Sequence, residues 1–406
     1  MKRFNYILRY AWSVIFMLLT TVYTDAQTDN ALLQSMDSVE IGLLTCGPGE
    51  EVYSLYGHTA IRYHDKGRDQ DLAINYGIFS FKQKFFILRF VFGLTDYEMG
   101  IIPFNAFVDE YQAAGRWITE QKLNLTREEK WAITQAIDEN YRPENRVYRY
   151  NYFYDNCTTR ARDMITDHIQ GSVVYAVDTQ TPATYRSMIR QWTASHPWAS
   201  FGNDLLLGVK ADAKTSYNAR QFLPDSLMQD FAHAIVIDTH GHRRALVDST
   251  FHILNEPDPD GIVHSSLPMP RTCALIFLLI VLIVCAIERG TKRIWWGFDA
   301  LVMTLDGLAG LILFLMIFSK HPTVNLNFQI LALCPLSLFF AYPTVKRLRN
   351  KQIHTYLPFW GALLLLFFVL GYWQSYAEGM FIVALSLLIR ITWLYYSCKK
   401  FYKTTK

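Results

Sequence analysis

The stretch Tyr150–Asp163, Y-N-Y-F-Y-D-N-C-T-T-R-A-R-D, governs the reading of everything around it. An aromatic run of strand character stops at Asp155-Asn156, and from Cys157 onward Ala161, Met164, Ile165 and Ile169 recur at helical spacing. A strand ending before Asn156 and a helix opening at Cys157 are expected. A thiol at a helix start faces unpaired N–H groups and the positive end of the helix dipole, which favour the nucleophilic thiolate. At this point a buried structural cysteine and half of a disulfide remain competing readings.

Around this stretch the chain divides sharply. It has 406 residues, and its 51% hydrophobic content is concentrated after Arg271, while 27–270 reads as an ordinary mixed domain. A net charge of +3 offers no global attraction for nucleic acid, and none is expected as a partner. At the start, Lys2, Arg3 and Arg9 precede an apolar run, Ala11–Leu19, and the small residue Ala26. This is the layout of a signal peptide over 1–26, with an uncleaved N-terminal anchor as the alternative; either exports the domain that begins at Gln27. Only Cys46 and Cys157 belong to the exported part, so in an oxidising compartment a Cys46–Cys157 disulfide rivals a free thiol.

Within the exported part, Glu40–Thr45 reads as a short buried strand closed by the turn Cys46-Gly47-Pro48-Gly49, and Glu50–Tyr56 as one or two helical turns. In Gly57–His64 residues alternate, His58, Ala60, Arg62 and His64 on one face and Thr59, Ile61 and Tyr63 on the other. A polar turn leads to a second alternating run, Asp71–Phe79, and the pair reads as a hairpin. With the turn centred on Gly67 and Arg68, His58 falls opposite Gly77 and Asn75 becomes a diagonal neighbour able to hydrogen-bond the imidazole. A slip of one residue removes Asn75 and leaves His64 as the fallback. Phe79–Leu94 mixes aromatic residues with Lys82, Lys84 and Arg89, as suits either a phospholipid surface or a core. Pro103–Trp117 reads as a helix, and Thr126–Tyr141 as another with the capping box Thr126–Glu129. Trp192–Asp204 reads as turn-rich. His240, His242, His252 and His264 lack ligand spacing, so no metal is expected.

After Arg271 five apolar segments approach spanning length: Cys273–Ile287, Ile294–Phe318, Phe328–Tyr342, Leu357–Trp373 and Met380–Cys398, the first and third being short. Basic residues follow the first, third and fifth, so the C-terminus is expected in the cytoplasm and 27–270 outside. Asp299 and Asp306 lie inside the second segment, and Asp306 suits a structural or headgroup-binding role. The outer loop S-K-H-P-T-V-N-L-N presents His321, Asn325 and Asn327 at the bilayer surface, as substrate-binding groups or as a plain polar turn.

Gly57-His58-Thr59-Ala60-Ile61-Arg62 with Asp155-Asn156-Cys157 resembles circularly permuted NlpC-like and lecithin:retinol-acyltransferase-like enzymes, in which a strand histidine precedes a helix-initiating cysteine. More closely, "LLTCGPGEEVYSLYGHTAIR", "INYG", "YRPENRVYRYNYFYDNCTTRARD" and "SKHPTVNLN", followed by several spans, look like the Lnb family of bacterial lipoprotein N-acyltransferases. The resemblance implies an exported α+β domain of permuted papain-like type, with an antiparallel sheet and helices, followed by an all-α membrane domain of about five helices. It implies transfer of an acyl chain from a phospholipid donor, through Cys157, to the α-amino group of diacylglyceryl-cysteine on a lipoprotein acceptor, without a cofactor. His58 would be the base. The third role falls to Asn75, where the permuted enzymes often use another histidine. Arg62, Asp155 and Asn156 are candidate substrate-binding residues, Arg62 for a phosphate unless it is a salt-bridged strand residue.

The expected layout is a leader over 1–26, a periplasmic catalytic domain over 27–254, a linker over 255–270 and a multi-span domain over 271–406 in the bacterial inner membrane. Two other functions fit the same residues: a cysteine hydrolase acting on lipid or cell wall, and a non-enzymatic membrane scaffold stapled by Cys46 and Cys157.

Overall fold

Val39–Cys46 (β1) is apolar at most positions and buried along nearly its whole length, as a strand covered on both faces must be. The computed structural model describes residues 30–79, 84–85, 88–89, 92–176, 183–256 and 267–400. The expected leader, half of the aromatic stretch 79–94, most of the linker 255–270, and Lys403 and Lys406 lie outside the described residues. The described residues form two units. The first is drawn from Met1–Phe79, Asp96–Asp178 and Gln221–Pro257, and the second from Ser80–Thr95, Thr179–Arg220 and Asp258–Lys406.

In the first unit β1 pairs antiparallel with His58–Asp65 (β2), which turns back into Gln70–Ile78 (β3). Asp96–Pro103 (β4), the helix Phe104–Ala113 (α1), Ile118–Leu123 (β5), the helix Arg127–Tyr141 (α2) and Val147–Arg149 (β6) come next. After the helix Cys157–Thr166 (α3) come Ser172–Val174 (β7), then, in the second unit, Tyr185–Trp192 (α4) and Pro197–Leu206 (α5). Pro224–Ala232 (α6), Ile235–Ile237 (β8), Arg243–Ala245 (β9) and Val247–Leu254 (β10) return to the first unit. The main sheet has seven strands in the order β10-β5-β1-β2-β3-β4-β6, and β7-β8-β9 form a second, three-stranded sheet.

The pleat separates two cores. Ile41, Leu43, Ile61, Ile74 and Tyr76 face α2 and α3, whereas Leu44, Cys46, Ala60 and Ala73 face Phe104, Phe107 and Tyr111 of α1. The α2 capping box is present, with Thr126 Oγ1 accepting Glu129 N–H and Glu129 Oε2 accepting Thr126 N–H at 2.9 Å. Two local expectations are corrected. Residues 50–56 form hydrogen-bonded turns without a helix, Gly49 N–H reaching Ser54 O at 3.0 Å. The aromatic run from Tyr150 to Tyr154 is not a strand: β6 ends at Arg149, and Asn151 and Asp155 pair with each other and close a tight turn.

The second unit carries Pro270–Thr291 (α7), Trp296–Met316 (α8), Leu336–Arg349 (α9), Tyr356–Leu370 (α10) and Met380–Lys400 (α11). Among the described residues four stretches are long and apolar enough to cross a membrane: α7, α8, residues 328–349 and α11. Here the expected lengths change places. The first helix has 22 residues and is not short, whereas α10, the fourth, has only 15. The third begins as the 3-10 turn Phe328–Leu331, and α9 starts after Pro335. Asp306 Oδ2 accepts Cys334 N–H at 3.1 Å and the Ser337 hydroxyl at 2.7 Å, so this mid-helix carboxylate ties α8 to the chain at the start of α9. Asp299 and Glu288 clasp Arg390 of α11 through four hydrogen bonds of 2.7–2.8 Å.

Residues 183–220 belong to this second unit, and Pro197–Leu206 is a helix where turns were expected. Arg186, 1% exposed, holds Asp204, Asp212 and the carbonyls of Leu207 and Gly208. Gln329 and Gln374 donate to the carbonyls of Asp204 and Leu207.

Candidate active site

Three strand ends meet at one edge of the main sheet. Cys46 closes β1 opposite His58, which opens β2, and opposite Ile118, which opens β5. Gly57 precedes His58 at φ 77°, and a Cβ there would stand 2.6 Å from Cys46 O, so only glycine lets the chain enter β2 in this way.

The hairpin register sets the histidine's partner. Ala60 pairs with Asn75 and Asp65 with Gln70, the alignment that a turn centred on Gly67 and Arg68 requires. Asn75 Oδ1 accepts Gly77 N–H at 2.7 Å and lies 2.9 Å from His58 Nε2. Because the Gly77 N–H identifies that atom as the amide oxygen, Nε2 must carry the proton that bonds it. His58 Nδ1 is therefore the nitrogen left to exchange a proton with Cys157. Gly77 is part of the arrangement: a Cβ on it would stand 2.6 Å from His58 Cε1.

Cys157 is the first residue of α3, and Asn156 builds the cradle beneath it. Asn156 Oδ1 accepts the N–H groups of Thr158 and Thr159, each at 2.9 Å, and its Nδ2 donates to Tyr152 O and Phe222 O. The cap consumes two of the first-turn donors, so the Cys157 N–H is the helix-start donor left for a ligand. Thr158 Oγ1 stands 3.8 Å from the Cys157 sulfur and 3.1 Å from Thr59 Oγ1, which ties α3 to β2.

Burial alone would push the Cys157 thiol up. The His58 charge and hydrogen bond, the Thr59 N–H and the Thr158 hydroxyl outweigh it, and the thiol is lowered to about 7. Burial likewise works against a charged imidazole, yet the Cys157 thiolate and its hydrogen bond raise His58 above the usual histidine range. The opposite shifts couple the two groups, each favouring the charged form of the other.

Cys46 is different. It is a free thiol, as is Cys157, so the disulfide expected as a rival is not formed. Fully buried at a strand end, Cys46 is pushed up to about 12 by burial, which makes it inert.

Several other candidates have different work. Arg62 bonds Asp71 through two nitrogens and Glu120 at 2.6 Å, and stacks over Phe104 of α1; it is the salt-bridged strand residue. Asp155 is engaged by Arg160 at 2.6 and 2.9 Å, and Asn156 forms the helix cap. His64 sits at the far end of β2 beside Glu40. Asn327 donates to Leu205 O and accepts from Gln329 and Gln374, which makes it a scaffold of the second unit. His321 and Asn325 belong to that same unit, half-buried in the loop that leads to Asn327. Thr59 and Thr158 were given no role from sequence, and Gly77 only that of the residue opposite His58.

A family model described as the Lnb N-terminal periplasmic domain matches residues 27–191, and one described as the Lnb transmembrane domain matches residues 262–401. Comparisons with curated proteins and with solved structures returned no significant match. The two matched stretches cover about three quarters of the chain and occur in the order of the family, the α+β domain with the thiol site first and the apolar helices second. On these grounds the chain belongs to the Lnb family of lipoprotein N-acyltransferases, as a membrane protein with a periplasmic N-terminal domain.

Proposed function

We propose that this chain moves a fatty acyl group from a phospholipid to the α-amino group of diacylglyceryl-cysteine on a lipoprotein, through a thioester on Cys157. The observation that carries the reading is the Cys157–His58–Asn75 arrangement, with the thiol lowered to about 7 and the imidazole oriented by Asn75 Oδ1 at 2.9 Å. His58 Nδ1 takes the sulfur's proton, and the thiolate attacks the ester carbonyl. The Thr59 N–H, which bonds the sulfur, and the Cys157 N–H, which the helix cap leaves unused, are the donors offered to the oxyanion. The carbon–oxygen bond breaks, and the lysophospholipid alkoxide takes the proton from His58. The lipoprotein amine then attacks the thioester and gives a proton to His58. As the carbon–sulfur bond breaks, an amide is released and the pair regains its starting state.

Membrane anchoring supports the reading, because both substrates are lipids confined to the same bilayer as the enzyme, where they meet it at high effective concentration. The basic residues after the first, third and fifth apolar segments support an inner-membrane orientation with the C-terminus in the cytoplasm. The test is incubation of the purified full chain with phospholipid vesicles and a diacylated lipopeptide, read by mass spectrometry. A triacylated peptide that disappears with Cys157→Ala is expected. Free fatty acid without that product would make the enzyme a hydrolase.

A further inference from the structure

Arginines of the first unit are generally spent on carboxylates: among the described residues nine of them form ion pairs there. Arg116, immediately before β5 at the sheet edge that carries Cys46 and His58, has no carboxylate partner among the described residues. Its Nε donates to Gly47 O at 2.8 Å and its guanidinium lies 4.5 Å from the Tyr111 ring centroid. Those two contacts fix one edge and one face of the group. The other edge is left over: Arg116 Nη2 is buried and has no hydrogen-bond partner among the described residues. A buried, unpaired guanidinium nitrogen is costly, and its persistence beside a reactive centre points to a ligand that completes it.

The local chain is shaped to hold this group in place. A Cβ on Gly47 would fall 2.4 Å from the Trp117 ring, and one on Gly49 would fall 3.3 Å from Arg116 Cδ. The 46–49 turn can therefore lie against Arg116 and Trp117 only with glycine at Gly47. Arg116 is also close enough to the reaction centre for its charge to bear on both His58 and Cys46. A guanidinium with one fixed and one free edge suits the paired oxygens of a phosphate better than a neutral carbonyl.

We propose that Arg116 binds the phosphodiester of the acyl donor and thereby selects a glycerophospholipid over a neutral ester. The inference rests on the acyl-enzyme reading. It replaces Arg62, whose guanidinium is occupied by Asp71 and Glu120, with a cation on the same sheet whose donor is free.

The experiment uses the full chain in detergent micelles and follows acylation of Cys157 by intact mass spectrometry. One donor is phosphatidylglycerol; the other is a neutral acyl thioester of N-acetylcysteamine. Arg116→Gln is expected to raise the half-saturating phosphatidylglycerol concentration by about tenfold or more, the loss of one charged hydrogen-bonding partner. Labelling by the neutral thioester is expected to stay within about twofold, and Arg116→Lys to recover part of the phospholipid response. An equal loss with both donors would make Arg116 a structural or His58-tuning residue and overturn the proposal, as would no change with either. Inorganic phosphate that blocks the thioester reaction of the unaltered chain, with phosphatidylglycerol saturation insensitive to Arg116→Gln, would assign the site to free phosphate and also overturn it. Failure of the unaltered chain to acylate Cys157 with any donor would remove the acyl-enzyme reading itself.

Discussion

Asn75 holds His58 by a single hydrogen bond, Nε2 to Oδ1 at 2.9 Å, and the same oxygen is fixed by the Gly77 N–H at 2.7 Å. The bond selects the histidine tautomer and turns Nδ1 toward Cys157. Asn75→Ala is expected to slow acylation of Cys157 by about 10- to 100-fold, part of what a positioned acid–base group supplies. The melting temperature should change little, because Asn75 is only half-buried. Single-turnover labelling checks this, and an unchanged rate would remove Asn75 from the machinery.

Gly77→Ala tests the same geometry by crowding. Its Cβ would stand 2.6 Å from His58 Cε1. The imidazole must then move, and a displacement near 1 Å costs on the order of 10²-fold in rate. The main sheet should survive, so circular dichroism should match the unaltered chain while acyl transfer falls. Full activity in the variant would show that His58 does not act from this position.

How much of this was legible depends on which residues carried the signal. The β2–β3 hairpin follows from strict alternation on either side of a polar turn, and α3 from Asn156 with its period of apolar residues. β5 escaped because I-T-E-Q-K-L looks solvent-facing, yet Glu120 is buried against Arg62 and Gln121 donates to Met228 O. The helix Pro197–Leu206 escaped for the same reason: Arg186, Asp204 and Gln329 bury one another, and a hydropathy pattern cannot register polar groups that satisfy each other. The aromatic run before Cys157 misled in the opposite sense. Tyr152 and Phe153 pack on Phe222 from a turn, so aromatic content alone did not mean strand.

The thiolate makes a pH prediction. Since the Cys157 thiol is lowered from the ordinary 9.0 to about 7, the thiolate is present above that pH and lost below it. The rate of iodoacetamide labelling at Cys157 should therefore rise with a midpoint near pH 7. In His58→Ala the compensating charge is gone while burial remains, so the midpoint should move upward, toward or past that of an ordinary thiol. A midpoint that ignores the substitution would break the coupling between the two residues.

The two exported cysteines should behave differently without any reductant. Cys157 should label at once in the native protein, whereas Cys46, buried and pushed up to about 12, should label only after unfolding. Cys46→Ala should keep acyl transfer. If neither cysteine labels until reduction, the Cys46–Cys157 bond exists and the scaffold reading returns.

Arg390 provides the test of the second unit. Its side chain is 4% exposed, as are those of its partners Glu288 and Asp299 at 2% and 5%, and Trp393 Nε1 completes Glu288 at 2.8 Å. The group joins α7, α8 and α11, so its charge balance bears on how three helices pack. Arg390→Met would leave two carboxylates facing each other in a buried site, a loss of about 3–5 kcal/mol for breaking a buried ion pair from one side. Melting of the helices in detergent should fall accordingly. Replacing the whole group, as Glu288→Gln, Asp299→Asn and Arg390→Met together, removes the uncompensated charge and should restore much of the loss, because neutral replacement of a buried pair is often nearly free of cost. If the single variant melts like the unaltered chain, the network does not hold the helices. If the triple variant is as unstable as the single one, the helices depend on the ion pair itself and not on charge neutrality.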